Sequence, residues 1–311
     1  MRALTLNGYD GLASLKFEDV PVPEPGPNDL LVQVRAASVN PVDGKITRGY
    51  GGLSQRSLPH VLGRDCAGIV VKTGGSVQGF KIGDEVFGVA DPTRWGTHAQ
   101  FVAMPAATAA RKPLSLGTID AGSLPIAGLS AWAGLVTAGR LVAGQRVLIH
   151  AGAGGVGSFA VQLARHLGAT VAATAGTMNI DFVRALGADQ VIDYTKTDFS
   201  EAIKDCDLVF DLIGGDVRFN SFRVVKSGGV ISHISVPPMT QAPPRTDVEV
   251  RSAQVRYDTV LIEQIARLVE GKAIRPVVTA VFPFGDALKA FEQVMTGHAR
   301  GRVMLDLGNE S

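Results

Sequence analysis

Arg146-Val147-Leu148-Ile149-His150-Ala151-Gly152-Ala153-Gly154-Gly155-Val156-Gly157, continuing from Ser158 to Thr174 as SFAVQLARHLGATVAAT, is the stretch that decides the fold. Val147, Leu148 and Ile149 form an apolar run of the kind found in buried parallel strands. Gly152 to Gly157 then spell G-x-G-x-x-G. Phe159, Val161, Leu163 and Leu167 are apolar positions of a helical segment, Gly168 stops it, and a second apolar strand starts at Thr170. Glycines in that pattern turn the chain tightly, admit a pyrophosphate to the backbone, and let helix pack on strand. The phosphates then sit at the positive end of the helix. The flanking strands make this a dinucleotide-binding signature rather than a chance glycine run. Gly152, Ala153, Gly154, Gly155, Val156 and Gly157 are therefore candidate cofactor residues.

Working outward, the pattern on the carboxyl side alternates strands and helices, as in a doubly wound parallel sheet. Helices are expected at Asp181 to Leu186, Phe219 to Val225, Val260 to Glu270 and Gly285 to Met295. Strands are expected at Gln190 to Asp193, Leu208 to Ile213, Val230 to Ile234, Val277 to Phe282 and Val303 to Leu307. Val248 to Tyr257 reads as an edge strand with polar alternation. The amino-terminal 120 or so residues differ. Short alternating segments (Met1 to Leu6, Leu30 to Ala36, Ala67 to Lys72, Asp84 to Val89, His98 to Ala103) are punctuated by Gly and Pro, which reads as β-rich. Leu124 to Ala138 has helical spacing and marks the crossing into the nucleotide-binding part. The fold class is thus α/β, with a β-rich domain beside a parallel-sheet domain.

Composition narrows the function. The chain has 311 residues, 46% of them hydrophobic, enough for two domains with substantial cores. A formal net charge of +1 provides no basic surface for nucleic acid or anionic lipid. Cys66 and Cys206 are far apart and form neither a disulfide framework nor a metal-spaced cluster. The amino terminus lacks the apolar segment of a signal peptide, and no uninterrupted apolar run is long enough to span a bilayer. The expectation is a cytoplasmic protein with no membrane or nucleic-acid partner.

Several further motifs occur in order. They are Asn40-Pro41-Val42-Asp43, Leu62-Gly63-Arg64-Asp65-Cys66-Ala67-Gly68, Gly83-Asp84-Glu85-Val86-Phe87-Gly88 and Leu129-Ser130-Ala131-Trp132. After the glycine turn come Leu186-Gly187-Ala188-Asp189, Val191-Ile192-Asp193-Tyr194 and His298-Ala299-Arg300-Gly301-Arg302-Val303. Together they resemble the medium-chain dehydrogenases/reductases, in their zinc-independent quinone oxidoreductase-like branch. The resemblance implies a GroES-like catalytic domain built from both chain parts, 1–122 and 260–311. A Rossmann NADP-binding domain, 123–259, is inserted between them, with the active site in the cleft. It also implies a homodimer joined through an edge strand, for which Val248 to Tyr257 is the candidate. Zinc enzymes of the same superfamily need a Cys and a His among their ligands. Here the histidine stretch reads Gly63-Arg64-Asp65, no cysteine stands near Asn40, and the four-cysteine lobe is absent. No metal is expected.

In NAD enzymes an acid about 20 residues past the glycines holds the ribose 2′-OH. Ala173 to Asn179 contains none before Asp181, which favours NADPH, with Thr174, Thr177 and Asn179 as hydrogen-bonding partners of the 2′-phosphate. The resemblance adds Tyr194 beside that phosphate and Ser130 near the nicotinamide or its ribose. It places Ile213 and Gly214 on the adenosine side, His233, Ile234 and Ser235 near the carboxamide, and Arg302 as a terminal basic residue reaching the cofactor.

The implied reaction is hydride transfer to a quinone or an α,β-unsaturated carbonyl, whose delocalised anion needs donors rather than a metal. Asn40 is the first candidate donor, Asp43 a group that orients either Asn40 or Lys45, and Lys45 and Tyr50 further donors near a substrate pocket formed around Tyr50, Trp95 and Phe282. Two alternatives stay open: an enal/enone reductase without quinone activity, and a non-catalytic NADPH-binding redox sensor.

Overall fold

The computed structural model describes residues 1–50, 58–91, 93–94, 96–234 and 237–308. Its first half contains β1 (Arg2–Leu6), β2 (Leu15–Asp19), β3 (Asp29–Val39), α1 (Pro41–Ile46), β4 (His60–Val61), β5 (Asp65–Thr73), β6 (Glu85–Val89), β7 (Phe101–Pro105), β8 (Ala109–Arg111) and α2 (Thr118–Trp132). There follow β9 (Arg146–Ile149), α3 (Gly155–His166), β10 (Thr170–Ala175), α4 (Ile180–Ala185), β11 (Gln190–Asp193), α5 (Phe199–Ala202), β12 (Cys206–Asp211), α6 (Gly215–Ser221), β13 (Val225–His233) and β14 (Glu249–Ser252). The chain closes with α7 (Thr259–Glu270), β15 (Val278–Pro283), α8 (Ala287–Met295) and β16 (Arg302–Asp306).

Two compact units result. The first comprises Met1–Ile126, Tyr257–Glu270 and Pro276–Ser311; the second comprises Ala127–Arg256 and Gly271–Arg275. The expected division at 122/123 and 259/260 is displaced by a few residues, and Gly271–Arg275 goes with the second unit. The reason is a reciprocal clamp: the Gln162 amide donates to the Arg275 carbonyl (3.1 Å) and accepts from the Arg275 N–H (3.0 Å).

In the first unit, strands run in the order β15-β16-β3-β5-β6-β8, with β7 also paired to β3, and a smaller sheet has the order β2-β1-β4. β16 pairs antiparallel with β3, matching Val303 to Val39, so the carboxyl-terminal strand completes the amino-terminal sheet. The core gathers Leu30, Val32, Leu62, Met104, Phe284, Phe291 and Leu305. Phe284 and Phe291 come from the turn before α8 and from α8, whose apolar positions repeat at helical spacing.

The second unit has the strand order β11-β10-β9-β12-β13-β14, with every neighbouring pair parallel. Read by sequence this is 3-2-1-4-5-6, the doubly wound dinucleotide-binding order. β14 is the edge strand, as the polar alternation predicts, but it ends at Ser252. Leu148, Ile192, Val209, Phe222 and Ile231 pack on one side of the sheet.

Two expectations change. The helix placed at Phe219 to Val225 is α6, Gly215–Ser221, and Val225 already begins β13. The Asp211 carboxylate accepts the Ile213 and Gly214 N–H groups (2.9 Å each), closing the turn before the helix, and Gly214 adopts φ +86°, where glycine is favoured. The second change concerns apolar length. Thr118–Ala138 is long and apolar enough to cross a membrane, yet 83% of its apolar window is buried in the protein. Its apolarity serves the core. Gly134, for example, lies so close to the Phe210 ring that a methyl would overlap it.

Candidate active site

The glycine turn occupies the carboxyl end of β9. Each glycine meets a different demand. A Cβ on Gly152 would lie 2.8 Å from the Ala173 Cβ on the neighbouring strand. A Cβ on Gly157 would overlap the Ala151 carbonyl oxygen and lie 2.9 Å from Gly152 Cα. Gly154, the residue preceding α3, is different: a Cβ there would meet only the Ala151 oxygen, at 3.5 Å. Two glycines are thus locked into packing and the third faces open space. The N–H groups of the first turn of α3 lack intrahelical acceptors. This cradle fits a dinucleotide pyrophosphate. Ala153, Gly155 and Val156 lie in the same turn.

Beneath the turn is a buried network that the sequence does not announce. His150 hydrogen-bonds Thr174 Oγ1 through Nδ1 (3.2 Å) and Ser221 Oγ through Nε2 (3.0 Å). Burial pushes its pKa down to about 4, against the opposing pull of Asp211, so the imidazole is neutral. Thr174 Oγ1 also accepts the Ala151 N–H at 3.2 Å. Thr174 is buried and committed to holding the turn, which corrects its expected role as a 2′-phosphate ligand.

At the ends of β10 and β11 the structure gathers Thr177, Asp193, Tyr194, Thr195 and Lys196. Thr177 Oγ1 donates to Asp193 Oδ2 (2.6 Å), Thr195 Oγ1 donates to Asp193 Oδ1 (2.7 Å), and Lys196 Nζ lies 3.6 Å from the same carboxylate. The Thr177 and Thr195 hydroxyls hold Asp193 below the usual carboxylate range. Tyr194 is half exposed, its hydroxyl 3.5 Å from where a Cβ on Gly176 would stand. Asn179 closes the turn Thr177–Asn179 through its N–H to the Gly176 carbonyl (2.8 Å). The sequence argument from a missing acid is therefore incomplete. β11 pairs with β10 so that Asp193 stands opposite Ala175 and delivers a carboxylate from the neighbouring strand.

The ends of β12 and β13 form a third group. Asp211, fully buried, is ion-paired with Arg218 (2.8 Å), and Arg218 donates to the Pro237 carbonyl (2.9 Å). Ile213 is exposed beside this turn. His233 ends β13; burial and then the nearby Arg218 lower its pKa, and its buried Nδ1 has no hydrogen-bond partner among the described residues. Ile234 packs against Ala133, Ala138 and Ala253, while Ser130 is buried in α2. Ser235 and Trp95 lie outside the described residues.

In the first unit the structure corrects two assignments together. Arg302 is buried and ion-paired with Asp65 (Nη2 to Oδ2, 3.0 Å); its Nη1 donates to Asn40 Oδ1 (2.8 Å) and its Nη2 also to Ser38 Oγ. The Asn40 amide donates to Ser38 Oγ (3.1 Å) and Asp65 Oδ1 (3.0 Å). Asp65 Oδ2 also accepts the Ile126 N–H (3.0 Å). That N–H follows Pro125, which breaks the helical ladder within α2. Arg302 is therefore a structural tie rather than a cofactor ligand, and Asn40 is a buried hub with both amide hydrogens engaged rather than a substrate donor. Asp43 orients Asn40 through the backbone, accepting its N–H at 2.8 Å. Burial raises the Asp43 pKa. Lys45 is half buried with Nζ 5.4 Å from the centre of the exposed Tyr50 ring. Phe282 lies on β15, its side chain packed on the first unit's core.

Comparison with known proteins agrees with this geometry. Residues 26–114 match the alcohol dehydrogenase GroES-like domain and residues 186–305 the zinc-binding dehydrogenase domain. The chain is 35% identical over 316 residues to the chloroplastic NADPH-dependent alkenal/one oxidoreductase of Arabidopsis thaliana, covering 98% of this chain and 79% of that protein.

The chain belongs to the medium-chain dehydrogenase/reductase family.

Within it the branch is the quinone oxidoreductase-like one. The 2-methylene-furan-3-one reductase of Solanum lycopersicum is 36% identical over 318 residues, with 98% of this chain and 79% of that protein covered. The solved quinone oxidoreductase of Coxiella burnetii superposes with a TM-score of 0.93 at 34% identity, over 99% of each chain. The chain is an oxidoreductase that uses NADPH. Although one matching domain is a zinc-binding dehydrogenase domain, no group of three or more His, Cys, Asp or Glu able to hold a metal occurs among the described residues. Cys66 is buried with its thiol pKa pushed up, a poor ligand.

Proposed function

We propose that the protein transfers hydride from NADPH to quinones or α,β-unsaturated carbonyls without zinc, as a cytoplasmic homodimer. The observation that carries this reading is the open Gly154 cradle at the head of a 3-2-1-4-5-6 sheet, in a chain similar to alkenal/one and quinone reductases. NADPH supplies the hydride from its nicotinamide C4. The first turn of α3 would hold the pyrophosphate. Thr177, Tyr194 and Lys196 would face the adenosine 2′-phosphate, Lys196 offsetting the Asp193 charge. The unpartnered His233 Nδ1 would take a hydrogen bond from the carboxamide. Lys45 and Tyr50 would be the donors to the acceptor oxygen. Gly63-Arg64-Asp65 stands where zinc enzymes of the superfamily carry a ligating histidine, which supports zinc independence, and the edge position of β14 supports a dimer joined there.

Loss of reduced-nicotinamide absorbance with a panel of quinones and enals, in the presence of a metal chelator, tests the reaction. Turnover of at least one acceptor class is expected. NADPH binding without turnover on any acceptor refutes it, and chelator-sensitive turnover refutes the zinc-free part. Gel filtration at the monomer mass would overturn the dimer.

A further inference from the structure

We propose that Ser221 and His150 are positioning residues for NADPH, acting on the pyrophosphate cradle through Thr174; this rests on the cofactor placement given above. Ser221 lies on α6, 71 positions beyond His150, and all three side chains are buried inside the second unit. His150 follows β9 directly and leads into the glycine turn, and Thr174 lies on the neighbouring strand β10.

The contacts select one tautomer. A hydroxyl has a single hydrogen to give. That of Ser221 goes to the Val217 carbonyl, one turn back along α6 (2.7 Å), so its oxygen accepts from His150 Nε2–H. Burial keeps the imidazole neutral, which leaves Nδ1 bare to accept the Thr174 hydroxyl. Thr174 Oγ1 is then the acceptor for the Ala151 N–H. The opposite tautomer would take the Ser221 hydrogen away from Val217 and leave the Thr174 hydrogen with no acceptor among these partners. The Phe199 ring packs edge-on against the imidazole, 4.7 Å between centres. Asp211, whose charge acts on the ring, has its oxygens bound to Arg218 and to the Ile213 and Gly214 N–H groups. The hydrogens therefore run one way on each side of His150, from Ala151 inward and from the ring out to α6.

This relay ends on an unusual piece of backbone. Ala151 has φ +53°, a left-handed conformation uncommon for a residue with a side chain. Such residues persist where their surroundings hold them. The His150 N–H reaches the Phe210 carbonyl on β12, while the next two N–H groups both reach Thr174 on β10. Ala151 donates to its hydroxyl and Gly152 to its carbonyl (2.9 Å). Successive N–H groups of a regular strand point to opposite sides, so the left-handed residue is what allows both to turn the same way. The Ala151 carbonyl in turn accepts the Gly154 N–H (3.0 Å) and lies against Gly157. Ala151 thus sets the course of the turn into α3, and the Thr174 hydroxyl, aimed by His150 and Ser221, holds Ala151.

The test uses the full-length protein and two ligands: NADPH, and adenosine 2′-monophosphate, which carries the 2′-phosphate but no pyrophosphate. Thr174→Val keeps the shape and removes the hydroxyl. It should raise the NADPH dissociation constant by about 10-fold, the scale of one buried hydrogen bond. Thr174→Ser restores the hydroxyl and should bind like wild type. Ser221→Ala leaves the turn itself unaltered and releases the tautomer; it should weaken NADPH several-fold. Adenosine 2′-monophosphate should bind all of them equally. In nuclear magnetic resonance spectra with isotope-labelled histidine, the His150 signal, assigned by its absence from His150→Gln, should show hydrogen on Nε2 and none on Nδ1 at neutral pH. Equal NADPH binding by wild type, Thr174→Val and Ser221→Ala would overturn the positioning role, and so would adenosine 2′-monophosphate weakened as much as NADPH, or hydrogen on Nδ1 in wild type. Should Thr174→Val fail to fold, Ser221→Ala and the tautomer decide. Wild type that fails to bind NADPH would instead sink the cofactor placement itself, and the relay's role with it.

Discussion

Replacing Gly154 and Gly157 separately by alanine should divide cofactor binding from stability. At Gly154 the backbone has φ −74° and ψ 176°, which alanine adopts without strain, and its methyl meets only one oxygen at 3.5 Å. The unfolded chain loses freedom, a gain of about 0.4–1 kcal/mol. A helix cap changed from Gly to Ala loses a similar amount, about 0.5–1 kcal/mol. The thermal midpoint of Gly154→Ala should therefore barely move. The same methyl fills the open face of the cradle and holds a pyrophosphate off the N–H groups of α3. Losing one hydrogen bond to a charged group costs about 1.5–3 kcal/mol. That is roughly 10- to 150-fold in NADPH dissociation constant. Gly157→Ala differs: its methyl overlaps the Ala151 oxygen and lies 2.9 Å from two further backbone atoms that cannot swing aside. Overpacking of about 1–3 kcal/mol is expected, with a lower midpoint as well as weaker binding. Fluorescence titration with NADPH and thermal unfolding of both variants provide the assay. Gly154→Ala binding NADPH like wild type, or unfolding as early as Gly157→Ala, would refute the assignment of roles to these glycines.

Three other predictions follow from the buried and strand-end groups. Asp211→Ala leaves Arg218 buried without its carboxylate and the Ile213 and Gly214 N–H groups without an acceptor; it should destabilise by about 3–5 kcal/mol in denaturant unfolding. His150 stays neutral in the fold down to about pH 4 but takes a proton near 6.5 when unfolded. The unfolded state therefore binds more protons in that window, and stability should fall as pH drops from 6.5 towards 4, with a slope approaching 1.4 kcal/mol per pH unit from this group; His150→Gln should flatten that slope in urea titrations across the range. Asp193→Asn removes negative charge beside the expected 2′-phosphate and should raise the preference for NADPH over NADH several-fold in paired kcat/KM measurements, whereas Lys196→Gln should lower it.

The strand, glycine turn, helix and second strand were legible because each carries a local signal: an apolar run, a glycine spacing, a helical repeat. The parallel, doubly wound character of the sheet follows from that alternation, whereas the strand order comes from the structure. What was not legible is which partner a polar side chain takes. Arg302 looks like a terminal cofactor ligand until β16 pairs with β3 and buries it against Asp65. Thr174 has the right distance from the glycines, but it sits under the turn and its hydroxyl is used by His150 and the Ala151 N–H. Asp193 carries no signal along the chain, because the sheet supplies this acid sideways, from the neighbouring strand. The sequence places α6 too late because Gly214-Gly215 and Gly228-Gly229 resemble stops, whereas the first pair opens the helix and the second lies inside β13.

The pairing of β16 with β3 also sets an order of assembly. Ala127–Arg256 is almost the whole of the nucleotide-binding unit and leaves the ribosome as one continuous segment, able to collapse while synthesis proceeds. The other unit cannot finish: until Val303 reaches Val39, the Ala36–Val39 end of β3 lacks the neighbour that β7 supplies to its Asp29–Gln33 end, and Asp65 lacks the guanidinium 237 residues downstream. A nascent chain therefore passes through an interval with a folded nucleotide-binding core and an exposed sheet edge. That edge is the surface a chaperone would shield and the one through which two unfinished chains would stick together.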